Sequence, residues 1–357
     1  MSNIRVLPAS QLSVDQWADW EKIQARVPDL DSAFFHPELT RLTSQVREDV
    51  EVAVIEDGKN AVGFFPFQRG PRGIAQAVTG RLSEFHGVIA DPSAQWTPSE
   101  LIRACGLSSW HFDHLPITQT HFQPYVWSQS GSPYMDLSRG YEAYRTEQRA
   151  KGSSLTQAER KSRKLAREVG PLRFEFHTDE AEVFSSLLEW KTAQHERTGV
   201  LSVLHVQWVT SLLEKLAQAQ RDNFGGLLSS LYAGDELVAV HLGLYSRTAL
   251  HIWFPAYNCR YERYSPGLIL LLELARAAVD RGFHRIDFGR GSERYKANFK
   301  SGDIPIAEGS VDRRLVTRNI HRSWHDTKQW MRSSPWGKQL EKPLKATRRL
   351  RQWLAFR

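Results

Sequence analysis

The chain has 357 residues, 41% hydrophobic and 24% charged, an ordinary globular composition. That length exceeds what one hydrophobic core spans, so two domains are expected. The formal charge is +7, but residues 318–357 carry eleven Lys or Arg against Asp326 and Glu341, which leaves the preceding chain close to neutral. Basicity confined to one end argues against DNA as a partner. No apolar run approaches the length of about 18 residues that a membrane-spanning helix needs. Met1-Ser2-Asn3-Ile4-Arg5 has no apolar signal core behind it. Cys105 and Cys259 lie far apart and make no disulfide framework, which suits a reducing cytoplasm.

In chain order, Val14 to Arg26 places Trp17, Trp20 and Ile23 on one face of a helix. Val50 to Ile55 and Ala61 to Phe67 read as strands joined by an Asp57-Gly58 turn. Pro66 is expected at a strand end or edge, because proline donates nothing to a ladder. Trp110 to Leu115 reads as another strand, stopped by Pro116. Leu137 to Gly170 is polar, basic and helical in two pieces, interrupted at Gly152-Ser153-Ser154. Leu172 to Phe176 alternates as a strand, and helices follow over Asp179 to Arg197 and Val206 to Gln220. Strands are then expected over 226–232, 237–245 and 249–257, the first two joined by Ala233-Gly234-Asp235-Glu236. After Tyr264-Ser265-Pro266-Gly267 comes a helix to Asp280 whose polar residues Glu273, Arg276 and Asp280 share one narrow stripe, so the rest is buried. His284 to Phe288 closes the series as a short strand. The domains implied are 1–145 and 146–317, with 318–357 as a basic amphipathic tail.

Several of these segments together resemble the GNAT acyltransferases, and more narrowly their CelD-like branch, associated with cellulose and polysaccharide biosynthesis. That branch is similar to the FemAB peptidyltransferases in having two tandem GNAT-type domains. The resemblance is carried by Leu237-Val238-Ala239-Val240-His241, Trp253 to Asn258, Tyr264-Ser265-Pro266-Gly267, and Asp287-Phe288-Gly289-Arg290-Gly291 with Tyr295-Lys296 and Phe299. Gly63 to Phe67, Phe85-His86-Gly87, Arg163-Lys164-Leu165, Gly170-Pro171, Lys191 and Arg197-Thr198-Gly199 add to it. It implies an α/β fold of two tandem GNAT-like domains, with mixed, mainly antiparallel sheets flanked by helices. It further implies transfer of an acyl group, acetyl by expectation, from acetyl-CoA as co-substrate to an amine. The acceptor implied is an amino sugar, free or carried on a nucleotide or lipid. The usual glycine-rich pyrophosphate signature of GNAT enzymes is absent, and Arg260 to Gly267 stands in its place.

The residues suggest where such chemistry would sit. Ser265 and Pro266 suit a helix start, whose unpaired N–H groups and partial positive charge attract a pyrophosphate. Gly267 would let the ligand approach the backbone, with Leu268 beside it. An ordinary capped helix fits the same residues. His241, mid-strand, has the proton affinity expected of a general base, although a core histidine is the structural alternative. Asp287, before a glycine loop, could orient His241, accept a proton or hold an amino sugar, or simply cap that loop. Lys296, Arg163, Lys191 and Arg197 are candidates for binding an acidic substrate. No metal site is expected: His111-Phe112-Asp113-His114 puts His114 on the opposite strand face from the other two polar residues. Cys259 reads as a small buried thiol. The rival readings are FemAB-like aminoacyl transfer from charged tRNA and a non-catalytic accessory role in a polysaccharide synthase. The tail, with Leu340, Leu344, Leu350, Trp353, Leu354 and Phe356 among arginines, is a candidate for peripheral contact with an anionic membrane.

Overall fold

The computed structural model describes residues 3–200 and 202–313. In chain order these form β1 (Asn3–Pro8), α1 (Val14–Arg26), α2 (Pro37–Ser44), β2 (Val50–Asp57), β3 (Asn60–Arg69), β4 (Ile74–Gln76), β5 (Ile89–Ala90), α3 (Pro98–Ala104), β6 (Ser109–Pro116) and β7 (Val126–Asp136). Then come α4 (Tyr141–Lys151), α5 (Ser154–Glu168), β8 (Leu172–Glu175), α6 (Ala181–Thr198), α7 (Gln207–Gln218), β9 (Gln220–Arg221), β10 (Phe224–Ala233), β11 (Glu236–Tyr245) and β12 (Ala249–Tyr257). The last elements are α8 (Pro266–Val279), β13 (Arg285–Asp287), α9 (Arg294–Phe299) and β14 (Gly302–Asp312). The tail and its membrane reading lie outside the described residues. No helix among the described residues is long and apolar enough to cross a membrane.

The described chain divides into two compact units, one of residues 3–30, 37–130 and 305–313, the other of 31–36 and 131–304. These are not the two linear blocks that the sequence suggests. The chain passes from one unit to the other inside β7 and again inside β14, so each unit takes one strand segment from the far half of the sequence.

In the first unit the strands run β1-β2-β3-β4-β6-β14, antiparallel at every step except β4 to β6, which is parallel. α1 starts at a capping box in which Ser13 and Gln16 exchange hydrogen bonds of 3.2 and 3.0 Å. It buries Trp20, whose ring stacks on Phe64 of β3 at 5.1 Å. The β2–β3 turn has Gly58 at φ +62°, where a side chain would be strained. Pro66 is neither at an end nor on an outer strand: β3 continues to Arg69 and pairs with β2 throughout. On its other side β3 pairs with β5 at Gly63 and Phe64 and with β4 at Gln68 and Arg69. Pro66 falls in the gap between those partners, where no donor is needed.

The second unit repeats the pattern. Its strands run β7-β13-β12-β11-β10-β8, again antiparallel except for one parallel pair, β12 to β13. A helix links the parallel strands in both units, α3 in the first and α8 in the second, as a parallel connection requires. α8 buries Ile269, Leu270, Leu271, Leu272, Leu274, Ala275 and Ala278, each large side chain contributing roughly 1.5–3 kcal/mol of transfer free energy. Its polar stripe closes on itself through a 2.7 Å Arg276–Glu273 pair. Asp31–His36 packs within this unit: Phe34 meets His251 edge-on at 4.9 Å, His36 stacks on Phe224 at 4.7 Å, and Arg285 donates to the Asp31 carbonyl at 2.8 Å. The result is the expected α/β architecture of mixed, mainly antiparallel sheets flanked by helices.

Candidate active site

The parallel pair in the second unit is short. β13 has three residues and pairs with β12 only at Ala249, Leu250 and His251. β12 continues to Tyr257, so its last six residues have no partner on that side among the described strands. A wedge opens where the strands part, at their carboxyl ends, the place where open α/β sheets hold ligands. The α8 start follows β12 at this opening, and the glycine loop Gly289–Gly291 follows β13.

Ladder geometry fixes which groups face the wedge. Asn258 donates its backbone N–H to Val238 O, and Tyr257 stands opposite Ala239, Pro255 opposite His241. Alternation then makes Pro255–His241 a pair without backbone bonds, so the Pro255 carbonyl points away from β11, into the wedge. The missing N–H of Pro255 is harmless there. Lys191, from α6, donates to this carbonyl at 3.0 Å and to Gln194 Oε1 at 3.2 Å. Burial is the main cause that pushes the Lys191 ammonium down to about 8; Lys296 adds to the effect and Glu293 opposes it. Burial raises the pKa of the Tyr257 hydroxyl, and Arg197, further along α6, opposes that rise.

His241 is fully buried, and neither of its ring nitrogens has a hydrogen-bond partner among the described residues. Burial, reinforced by Lys191, lowers its pKa to about 3. An imidazole this weakly basic is neutral at physiological pH and a poor proton acceptor, so the base role read from the sequence is not supported by this arrangement. Gly243 makes room for the ring, since a Cβ there would come within 2.4 Å of His241 Cε1. His195 on α6 is lowered to about 4 by burial, with Lys191 contributing.

Asp287 does not orient His241. It stands opposite His251 in the ladder, four residues before Pro255, or about 13 Å along the strand. Its carboxylate, almost wholly buried, accepts from Arg285 Nε at 2.8 Å. Burial raises its pKa, with the neighbouring Arg285 opposing. Lys296 is also committed: its ammonium donates to the carbonyls of Gly289 and Arg290 at 3.1 and 3.2 Å and lies 3.4 Å from Glu293. It ties the glycine loop together, and a Cβ at Gly291 would come within 2.7 Å of it.

Ser265 is not the side-chain cap that its type suggests. It adopts a left-handed conformation, φ 53°, and its hydroxyl accepts from Lys161 of α5 at 2.7 Å. The α8 start is therefore uncapped by any side chain, with a lysine at its entrance and Pro266, Gly267 and Leu268 as its first turn. Gly267 has ordinary helical geometry, and only Tyr257 Cδ1, at 3.7 Å, would touch a Cβ built there. The fold itself does not demand glycine at this place. Arg163 lines a separate cavity of about 200 Å³ along the flank of α8 with Arg145, Leu272, Glu273 and Arg276. The four candidate cations thus do not form one wall. Sequence reasoning missed Lys161, whose place in a basic stretch gave no reason to single it out.

Elsewhere, Cys259 is exposed and not buried as expected, because it opens a surface turn after β12. In the first unit, His86 Nε2 accepts the backbone N–H groups of Asp113 and His114 at 3.1 and 3.3 Å, and His114 Nδ1 lies 2.9 Å from Asp113. Among the described residues no group of three or more His, Cys, Asp or Glu is arranged to hold a metal ion.

Residues 153–297, from α5 into α9, match the family model described as an acetyltransferase (GNAT) domain. No curated protein sequence matches the chain significantly. Among solved structures, the chain is similar to FemX, with a TM-score of 0.55 at 9% identity over 89% of this chain and 99% of that one. It is also similar to the C-terminal domain of an Agrobacterium fabrum protein described as a lysylphosphatidylglycerol synthetase, with a TM-score of 0.54 at 12% identity over 88% and 96%. A tandem GNAT protein from the clavulanic acid biosynthesis pathway aligns with a TM-score of 0.48 at 11% identity over 87% and 98%. Residues 153–297 thus match a GNAT acetyltransferase domain, which supports an acyltransferase, and the solved structures share the fold of the chain.

Proposed function

We propose that the protein transfers an acetyl group from acetyl-CoA to the amine of an amino sugar, free or carried on a nucleotide or lipid, in the assembly of a bacterial polysaccharide. The observation that carries the reading is the wedge between β12 and β13, with an uncapped helix start at its opening. The free edge of β12 offers backbone partners to an extended, amide-bearing arm such as that of CoA. The α8 start, with Lys161 beside Ser265, suits the pyrophosphate. Attack would be direct, from the amine onto the thioester, with no enzyme nucleophile. The amino-sugar acceptor rests on the sequence resemblance to the CelD-like branch.

Calorimetric titration with acetyl-CoA tests the reading. The wild type is expected to bind, and Gly267→Trp to lose binding while keeping its fold, since a Cβ there meets only Tyr257 Cδ1, at the ordinary contact distance of 3.7 Å. Unchanged affinity in Gly267→Trp would place the co-substrate elsewhere. Absence of binding to the wild type would favour the aminoacyl or accessory alternatives.

A further inference from the structure

We infer that Lys191 is the proton acceptor for the attacking amine, a role that rests on the acyl-transfer reading and takes the place of the one expected of His241. Three observations lead there. First, the Lys191 ammonium sits on the wedge side of β12, held by the Pro255 carbonyl at a point where β13 has already turned away. Second, it is electrostatically coupled to Glu293 and Lys296, which belong to the segment after β13. It therefore lies between the two sides of the opening, where a thioester and an amine would meet. Third, the histidines near it are poor acceptors, and Lys296 and Asp287 are committed away from the free edge of β12. His241 and His195 are held neutral by burial, Lys296 is bonded to the glycine loop, and Asp287 is bonded to Arg285.

Burial brings Lys191 to about 8, so a useful fraction of it is the neutral amine near neutral pH. That is the range in which a general base both exists and accepts a proton from an ammonium. The step balances as follows. The acceptor arrives as an ammonium, and neutral Lys191 takes one of its protons and later releases it to solvent. The freed nitrogen lone pair forms the N–C bond to the acyl carbon, and the C–S bond breaks. A second proton leaves the nitrogen and ends on the departing CoA sulfur. One proton is released to solvent per turnover.

The test compares the wild type with Lys191→Met and Lys191→Arg. Acetyl transfer to glucosamine is followed by CoA thiol release, and acetyl-CoA binding is measured by calorimetry. Both variants are expected to bind acetyl-CoA normally and to lose turnover by about 10²–10⁴-fold. Wild-type turnover should rise tenfold per pH unit below about 8 and level off above it. The sign follows because only the deprotonated lysine is competent. Arginine keeps the positive charge but accepts no proton at these pH values. Near wild-type turnover in Lys191→Arg would thus reduce Lys191 to a fixed charge and overturn the proposal. A second readout needs no acceptor: labelling of the full chain by acetic anhydride across pH, resolved by peptide mass spectrometry. Half-reactivity of Lys191 near pH 8 supports the role, and a midpoint in the ordinary lysine range of about 10 overturns it. If the wild type binds no acetyl-CoA, the acyl-transfer reading fails, and the proposal with it. If the wild type turns over as fast as Lys191→Arg, only the proposal fails.

Discussion

The two units share one strand pattern and differ at one place. Each has six main strands, a single parallel pair and a helix linking that pair. In the first unit the parallel strand β4 is three residues long and ends at Gln76, without a free continuation. The helix that follows, α3, is closed by Thr97, whose hydroxyl accepts from Glu100 N at 3.2 Å. In the second unit β12 runs six residues beyond its parallel partner, and α8 starts without a side-chain cap. In α8 Pro266 has no N–H, and those of Leu268 and Ile269 already donate to the Ser265 carbonyl, so the donor that the first turn still has to offer at the open strand edge is Gly267 N–H. The comparison teaches that the same topology serves as scaffold or site according to how far one strand outlives its neighbour.

Helix burial should show no such difference between the units. Leu274 of α8 and Leu101 of α3 are both fully buried. Leu274→Ala and Leu101→Ala should each cost about 2–5 kcal/mol, measured by chemical denaturation with tryptophan fluorescence. A loss well under 1 kcal/mol at either position would mean that its helix is not part of a packed core, and the likeness of the units would fail.

The caps should separate them. Thr97→Ala is expected to cost about 1 kcal/mol, because it frees a helix donor. Ser265→Ala should stay within about 0.5 kcal/mol, because the Ser265 hydroxyl caps nothing and only accepts from Lys161. Equal losses at the two positions would show that α8 is capped after all.

Much of the fold was legible where local signals agree. Val14–Arg26 is a helix because its aromatic face, its serine cap and its composition all say so. The Gly58 and Gly234 turns announced their hairpins, and Gly152-Ser153 separated α4 from α5. β7 and β14 were not legible. Val126–Asp136 contains Ser-Gly-Ser-Pro and Gly302–Asp312 contains glycine and proline, which read as turns. They are strands because β13 and β6 supply ladder partners more than 140 residues away in sequence, which no local pattern shows. The same limit applies to the site. The serine, proline and glycine of the α8 start could be named from their types. The burial that weakens His241 and the Lys191–Pro255 bond are products of long-range packing, while the Arg285–Asp287 pair is local, two residues apart on one strand, and went unremarked in the sequence.

The most direct test of the account is amide hydrogen exchange of the full chain with and without acetyl-CoA. Protection is predicted at the free edge of β12, at the amides of residues 253, 254, 256 and 257, and at Gly267 in the first turn of α8, since Leu268 and Ile269 already donate to Ser265. The counterpart segments β4 and α3 should be unchanged. Protection that appears at residues 74–76 and 98–104, while β12 and α8 exchange as before, would contradict the assignment of the open wedge as the acyl-CoA site.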